Sequence, residues 1–446
     1  MRLTFSAWMR CVCFVQNLVR IASRAVNLAR MTNGRGYRNR RVTGVGLAAA
    51  AAVLAAALTP PAAAATLPQP NAVSVTGDRN EQTAVEKVAA TIVGPVAPGM
   101  AVAIVKRDPR SGEPITTTYY FGQADNATPG TVGQVGPQTQ FELASETKLF
   151  TGALLAKRVH DGQSQLTDHA QKYETGLTFP VKDGKNITLG ELVTHRSGLT
   201  DDPPNDYVNR KAQYNRADLW QGLENPKALA TSPGSTWLYS DFGFGTLGTL
   251  MADAFEPGQP QPPFADVVQR ELTGLLGMPS TVLENQATNL AQPYGPDGTP
   301  APLWDNIAAM AGGGGLVSTA ADMATWNATT LGYGNSPLKP VLQSMLDTIP
   351  GVGQKMGMAW QLYPAQNGIR HPYAFKDGDS TGSSNATYLI PSDGFAVTVL
   401  TNGGHGSDSD SRAPKAVNQA AFDLMQELQP GVPTTGSSTG SPTFGS

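Results

Sequence analysis

Strand patterns at both ends of the chain's body enclose a long helical middle, and that order leaves few folds open. At the front, Gly99–Lys106 runs apolar into Lys106-Arg107-Asp108-Pro109, and Thr116–Phe121 alternates in β-rich residues after a Gly-Glu-Pro turn, which predicts a hairpin. Apolar spacing then turns helical at Leu149, Phe150, Ala153, Leu154 and Leu155, ending near His160-Asp161-Gly162. Further helices are expected over 189–195, 216–223, 242–255, 263–276 and 319–330. Strand signals return over 355–363, 374–377, 386–391 and 394–401, before a terminal helix over 413–428. No internal repeat is visible. The order predicts one mixed sheet built from both chain ends, with a helical region inserted and a cleft at their junction, where sites commonly lie. A chain of 446 residues suits one large domain or two small ones.

The ends are compositionally distinct. Nine of the 32 basic residues, all Arg, fall in the first 65 positions, which hold no Asp or Glu. Four arginines from Arg35 to Arg41 precede the mainly Ala run Val42–Leu58, then Pro60-Pro61 and the small residues Ala62–Ala65, which is the order of a cleaved secretory signal. The competing reading is an uncleaved anchor, since 17 apolar residues approach the length that spans a bilayer. Asn39-Arg40-Arg41-Val42 resembles a twin-arginine signal, with Thr43 and Gly44 where apolar residues usually stand, so the general or twin-arginine route stays open. Residues 1–30 read as a basic extension ahead of a second candidate start, Met31. Positions 66–81 read as a linker, 82–428 as the folded domain, and 429–446, rich in Pro, Gly, Ser and Thr, as a disordered tail.

Composition excludes several functions. Beyond residue 65, 23 basic residues face 35 acidic ones, a net charge of −12 with no electrostatic footprint for nucleic acid. The only cysteines, Cys11 and Cys13, lie in the leader, so the body has no disulfide, thiolate metal site or cysteine nucleophile. His160, His169, His195, His371 and His405 are widely spaced and form no metal-binding pair, so no metal is expected.

Ser145-Glu146-Thr147-Lys148 opens the first strong helix, and residues three apart project from one helix face. A hydroxyl is a poor nucleophile until a nearby base takes its proton, and a lysine of depressed pKa can do so. Alone, the motif also reads as an N-cap serine beside a solvated lysine, and Ser336-Pro337-Leu338-Lys339 has the same spacing. Two other segments supply context. Tyr239-Ser240-Asp241 lies in a turn before a helix, and Phe375-Lys376-Asp377-Gly378 ends a strand.

This order, Ser-x-x-Lys, Tyr-x-Asp, Lys-x-Gly, resembles the penicillin-recognising serine hydrolases, the class C β-lactamase and DD-peptidase-like family. Intervals of 91 residues from Lys148 to Tyr239 and 137 from Tyr239 to Lys376 are of the family's kind. Leu192–Leu199 (LVTHRSGL), Gly312–Asp322 (GGGGLVSTAAD), Leu275–Met278 (LLGM) and Met356–Trp360 (MGMAW) resemble further landmarks, so the likeness covers about residues 82–428.

The resemblance implies an α+β fold with an antiparallel sheet, flanking helices and an inserted helical region, and no cofactor. It implies Ser145 as the acylated nucleophile, Lys148 and Tyr239 sharing the proton transfers, and the backbone N–H groups of Ser145 and Asp379 as an oxyanion hole. Asp241, Lys376, Asp377 and Gly378 would line the substrate site, with Lys376 supplying positive potential and His195 structural. Two positions depart from the pattern: Asp241 stands where Asn is usual and Asp377 where Thr or Ser is. A carboxylate at 241 should favour charged Lys148 and shift the base role toward Tyr239. One at 377 should repel substrate carboxylates, if it reaches the cleft from a strand whose side chains alternate.

A rival motif, Gly378-Asp379-Ser380-Thr381-Gly382, fits the nucleophile elbow of α/β-hydrolases. That elbow needs a following helix, whereas 386–391 alternates as a strand, and Gly436–Gly440 in the tail matches equally well. The expectation is therefore an exported serine hydrolase acting on an ester, amide, peptidoglycan peptide or β-lactam, without nucleic-acid partners or a membrane span after signal cleavage. The alternative is a cell-envelope protein that keeps the fold and binds without catalysis.

Overall fold

Seven consecutive residues of the strand Gly99–Arg107 are buried, so both its faces are covered. Alternation sorts them into two cores. Ala101, Ala103 and Val105 share a cluster with Phe150, Leu154 and Trp326. Met100, Val102 and Ile104 share another with Val85, Ile92, Phe422 and Met425. The computed structural model describes residues 67–73, 79–126, 133–205, 207, 209, 211–258, 263–306, 308–406 and 412–430.

In chain order the elements are β1 (Ala72–Val73), α1 (Arg79–Ile92), β2 (Gly99–Arg107), β3 (Pro114–Gly122), β4 (Phe141–Glu142), α2 (Thr147–His160), α3 (Leu189–Val193), α4 (Arg216–Glu224) and α5 (Asp241–Phe255). Next, α6 (Phe264–Val268) continues through a π-helical turn (Gln269–Thr273) into α7 (Gly274–Leu276), followed by β5 (Val282–Leu283), α8 (Ala311–Gly314), β6 (Leu316–Ser318), α9 (Ala320–Thr330) and α10 (Lys339–Ser344). The chain closes with β7 (Gln361–Tyr363), β8 (Tyr373–Asp379), β9 (Ser384–Ile390), β10 (Phe395–Thr401) and α11 (Arg412–Leu428).

The main sheet has the order β1-β3-β2-β10-β9-β8-β7. Every pairing in it is antiparallel. This corrects the mixed sheet expected from pattern alone: β2–β3 and β7 to β10 are antiparallel neighbours in chain order, and the two chain ends meet antiparallel at β2 and β10. One face carries α1 and α11, the latter burying Val417, Ala420, Ala421, Leu424 and Met425 at helical spacing. The other carries α9 and the inserted helices, with Asn327 Nδ2 donating to Thr398 Oγ1 across that contact at 2.8 Å. A second sheet, β4-β6-β5, sits within the inserted region.

Three boundaries differ from the sequence reading. The stretch read as linker, 66–81, contributes β1, which pairs with Tyr119 and Tyr120, and the start of α1. The Ala-rich face Ala84, Val85, Val88, Ala89 is helical in spacing but weak as a signal. The strand expected over 355–363 forms only at 361–363, because Ala359 N donates to Val193 O and Gly357 presses against the Met345 carbonyl, drawing the segment toward the helices. Gln429, read as the first residue of the tail, is buried, accepts from Arg370 N and donates to Gly368 O. The leader read over 1–65 and tail residues 431–446 lie outside the described residues.

Candidate active site

β4 delivers the chain into a tight turn, Ala144–Glu146, that leads directly into α2. Ala144 holds a positive φ of 44° there, a conformation non-glycine residues adopt only where their surroundings enforce it. Ser145 is the only residue from Phe141 to Phe150 that is not buried. One turn on, Lys148 is wholly buried. Its Nζ donates to Ser145 Oγ at 2.8 Å and to the Gly313 carbonyl at 2.6 Å, and lies 2.5 Å from Asp241 Oδ1. Three acceptors thus surround the amine nitrogen.

Tyr239 approaches from the turn before α5, its hydroxyl 2.6 Å from Ser145 Oγ. The His195 ring stacks on it with centroids 4.3 Å apart. His195 Nδ1 accepts from Ser240 N at 3.1 Å, so the imidazole braces the turn. Burial and the neighbouring lysines push its pKa well below 6.5, which keeps it neutral.

Burial lowers the Lys148 pKa more than the Asp241 carboxylate raises it, and the net direction is down. The Asp241 carboxylate does favour the charged form, as expected, but removal from water penalises the ammonium more than one partly exposed carboxylate restores, so the lysine is not held in the charged form as strongly as the sequence alone suggests. Burial also drives the Tyr239 phenol well above 10, with Asp241 adding to the effect. Beside them, burial and Asp241 raise the Asp201 carboxyl to about 6.

The end of β8 closes the other side. A side chain at Gly378 would stand 2.0 Å from the Leu143 carbonyl, so glycine lets this strand lie directly on the Leu143–Glu146 turn. Asp379, the next residue, is thereby set at the nucleophile turn. Its carboxyl is raised to about 8 by burial and by Asp377. Lys376 is buried, with Nζ 5.8 Å from the Tyr239 ring centroid. Asp377 lies on the opposite face: Oδ2 accepts from Asn418 Nδ2 of α11 at 3.0 Å, and Oδ1 lies 3.2 Å from Lys376 Nζ. It does not point into the cleft as a substrate-binding group.

The rival serines stand apart. Ser380 is fully buried, donates to Glu142 Oε2 at 2.5 Å, and is followed by β9 rather than a helix. Ser336 Oγ accepts from Leu338 N, while Lys339 Nζ donates to the Gly334 carbonyl, so that Ser-x-x-Lys is not a pair.

Sequence reading missed the Gly313 carbonyl, whose part depends on backbone position. It also gave no sign of Glu142, which carries no motif of its own and accepts from Ser380. Among the described residues, no group of three or more His, Cys, Asp or Glu could hold a metal ion, and no helix is long and apolar enough to cross a membrane.

Residues 85–422 match the family described as Beta-lactamase. The chain belongs to that family. It is similar to the D-alanyl-D-alanine-carboxypeptidase/endopeptidase AmpH of Escherichia coli, 26% identical over 358 residues, covering 75% of this chain and 86% of that one. An unguisins hydrolase of Aspergillus campestris is 26% identical over 366 residues, covering 75% of this chain and 64% of that protein. Among solved structures, a β-lactamase/D-alanine carboxypeptidase from Yersinia pestis superposes with a TM-score of 0.62 at 23% identity, over 77% of this chain and 98% of that one. A class C β-lactamase from Rhodobacter sphaeroides gives 0.61 at 22%, over 77% and 98%. The fold is therefore the α+β β-lactamase/DD-peptidase fold, and the chain is a β-lactamase-related serine hydrolase, a family whose chemistry is acyl transfer.

Proposed function

We propose that this protein is an exported hydrolase that cleaves ester, amide or peptide bonds by acyl transfer through Ser145. The observation that carries the reading is the convergence of Lys148 Nζ and Tyr239 OH on the one hydroxyl of the turn that is not buried, at 2.8 and 2.6 Å. Lys148, whose uncharged form burial favours, takes the Ser145 proton as Oγ attacks the acyl carbon. The depressed pKa of Lys148 and the raised pKa of Tyr239 favour this division of labour. Tyr239, still protonated, passes a proton to the leaving group and is reprotonated from Lys148. The N–H groups of Ser145 and Asp379 receive the oxyanion, and Lys376 adds positive potential. Water then hydrolyses the acyl-enzyme through the same groups.

The substrate class comes from the relatives: D-alanyl-D-alanine peptides, β-lactams and unguisins are what their names state. Export is inferred from the arginines before Val42–Leu58 and the small residues after it, and N-terminal sequencing of the mature protein from cell fractions tests it. Reaction with a fluorophosphonate and a fluorescent penicillin, with mass spectrometry of the labelled peptide, tests the catalytic reading. Label on Ser145 supports it. A folded protein that takes up neither probe is instead a non-catalytic binder in the cell envelope.

A further inference from the structure

Two buried carboxyls outside the Ser-Lys-Tyr group are joined to both segments that border the nucleophile. Glu142, on β4 three residues before Ser145, and Glu284, just after β5, are 2% and 4% exposed, and their carboxyls receive two consecutive backbone amides, Trp304 N and Asp305 N. Glu142 Oε2 accepts from Ser380 Oγ at 2.5 Å, and that hydroxyl accepts from Gly382 N and Ser383 N, fixing the turn that follows Asp379. Glu142 Oε1 accepts from Trp304 N at 2.9 Å, and Glu284 Oε1 from Asp305 N at 3.1 Å. The Trp304 indole nitrogen lies against Gly314, whose missing side chain would also approach Ala144. The pair therefore links the strand entering the nucleophile, the turn leaving the proposed oxyanion strand, and the Trp304–Asp305 segment that packs against Gly314 beside Ala144.

We propose that Glu142 and Glu284 are positioning residues, a carboxylate and a carboxylic acid sharing one proton, that hold the Ser380–Ser383 turn and the Trp304–Asp305 segment in register with Ser145. This rests on the acyl-transfer reading above. Two adjacent carboxyls cannot both ionise cheaply in a dry site. Burial raises both, and Glu284, with Glu142 beside it, reaches about 8. The other charged or titratable groups facing the pair are Asp305, which adds repulsion, Lys211, which lies 3.1 Å from the centroid of the Trp304 ring and opposes it, and His405, edge-on to the same indole and kept neutral by burial. The folded pKa lies above the unfolded value, so the contribution of the pair is complete at acid pH and is lost as pH rises through about 8.

Glu284→Gln supplies a permanent N–H to Glu142 while its Oε1 can still accept from Asp305 N. The rate of Ser145 modification by a fluorophosphonate in this variant, divided by the wild-type rate, should climb several-fold between pH 7 and 9.5. Exchange of the Trp304 and Asp305 amides, corrected for intrinsic pH dependence, should lose protection in the wild type over that range and keep it in Glu284→Gln. Glu142→Gln, which cannot accept from Ser380 Oγ and Trp304 N and still pair with Glu284 as a carboxylate does, should lower kcat about ten-fold with little change in KM. A flat rate ratio, together with equal amide protection in the two proteins at pH 9.5, overturns the proposal. Pair-dependent exchange in a wild-type protein that never labels leaves the pair standing and overturns the role given to Ser145.

Discussion

The Asp241 carboxylate lies 2.5 Å from Lys148 Nζ, yet the lysine pKa falls below its ordinary value because Lys148 is fully removed from water. The ion pair thus restrains a shift that burial sets. Its removal should deepen that shift: in Asp241→Asn the Lys148 pKa drops further, and the rising limb of the kcat/KM profile moves to lower pH by on the order of one unit. The sign follows because the amide withdraws the interaction favouring the ammonium. An unmoved limb would show that Lys148 is not the base whose titration controls the rate.

Ser145→Ala should abolish both turnover and labelling, whereas Ser336→Ala should leave both in place. Ser380→Ala separates structure from chemistry. It deletes the buried bond to Glu142, at a cost of about 1–3 kcal/mol in unfolding free energy, and Ser145 should still be labelled. Denaturation curves and peptide mapping of the probe check each arm, and label found on Ser380 would overturn the assignment.

Gly378→Ala asks whether close approach of β8 matters. The new methyl would meet the Leu143 carbonyl at 2.0 Å, so the strand end must back away from the Ser145 turn. Displacements near 1 Å cost about a hundred-fold in rate where geometry is critical, and stability should fall by about 1–3 kcal/mol. A near-normal kcat in this variant would remove the strand end from the mechanism.

Motif order made the reacting groups legible because Ser145, Lys148, Tyr239 and Lys376 each belong to a short pattern with fixed chemistry. The helix α5 and the β2–β3 hairpin are legible from apolar and β-rich periodicity. What escaped lies in tertiary context. The side on which Asp377 falls depends on strand register, and the balance at Lys148 depends on burial that no local pattern reports. The pairing of Glu142 with Glu284 joins residues far apart in the chain through the small sheet, and α1 escaped because alanines mark a helical face weakly.

Asp377 bears on substrate choice through Lys376 rather than by facing the substrate. Its carboxylate sits 3.2 Å from Lys376 Nζ and is held from behind by Asn418, so it offsets the positive potential that would attract a substrate carboxylate. At about 4 Å and an effective dielectric of about 20, a unit charge pair is worth roughly 4 kcal/mol, and even a third of that is about ten-fold in kcat/KM. Asp377→Thr and Asp377→Asn should both raise kcat/KM for nitrocefin and a D-Ala-D-Ala peptide relative to a short-chain aryl ester, by about ten-fold. Because the amide introduced by Asp377→Asn can still accept from Asn418, agreement between the two variants assigns the gain to charge rather than to a new hydroxyl. A gain in the Thr variant alone would return the effect to a direct hydrogen bond with the substrate, and no gain in either would show that Lys376 does not select for carboxylates in this enzyme.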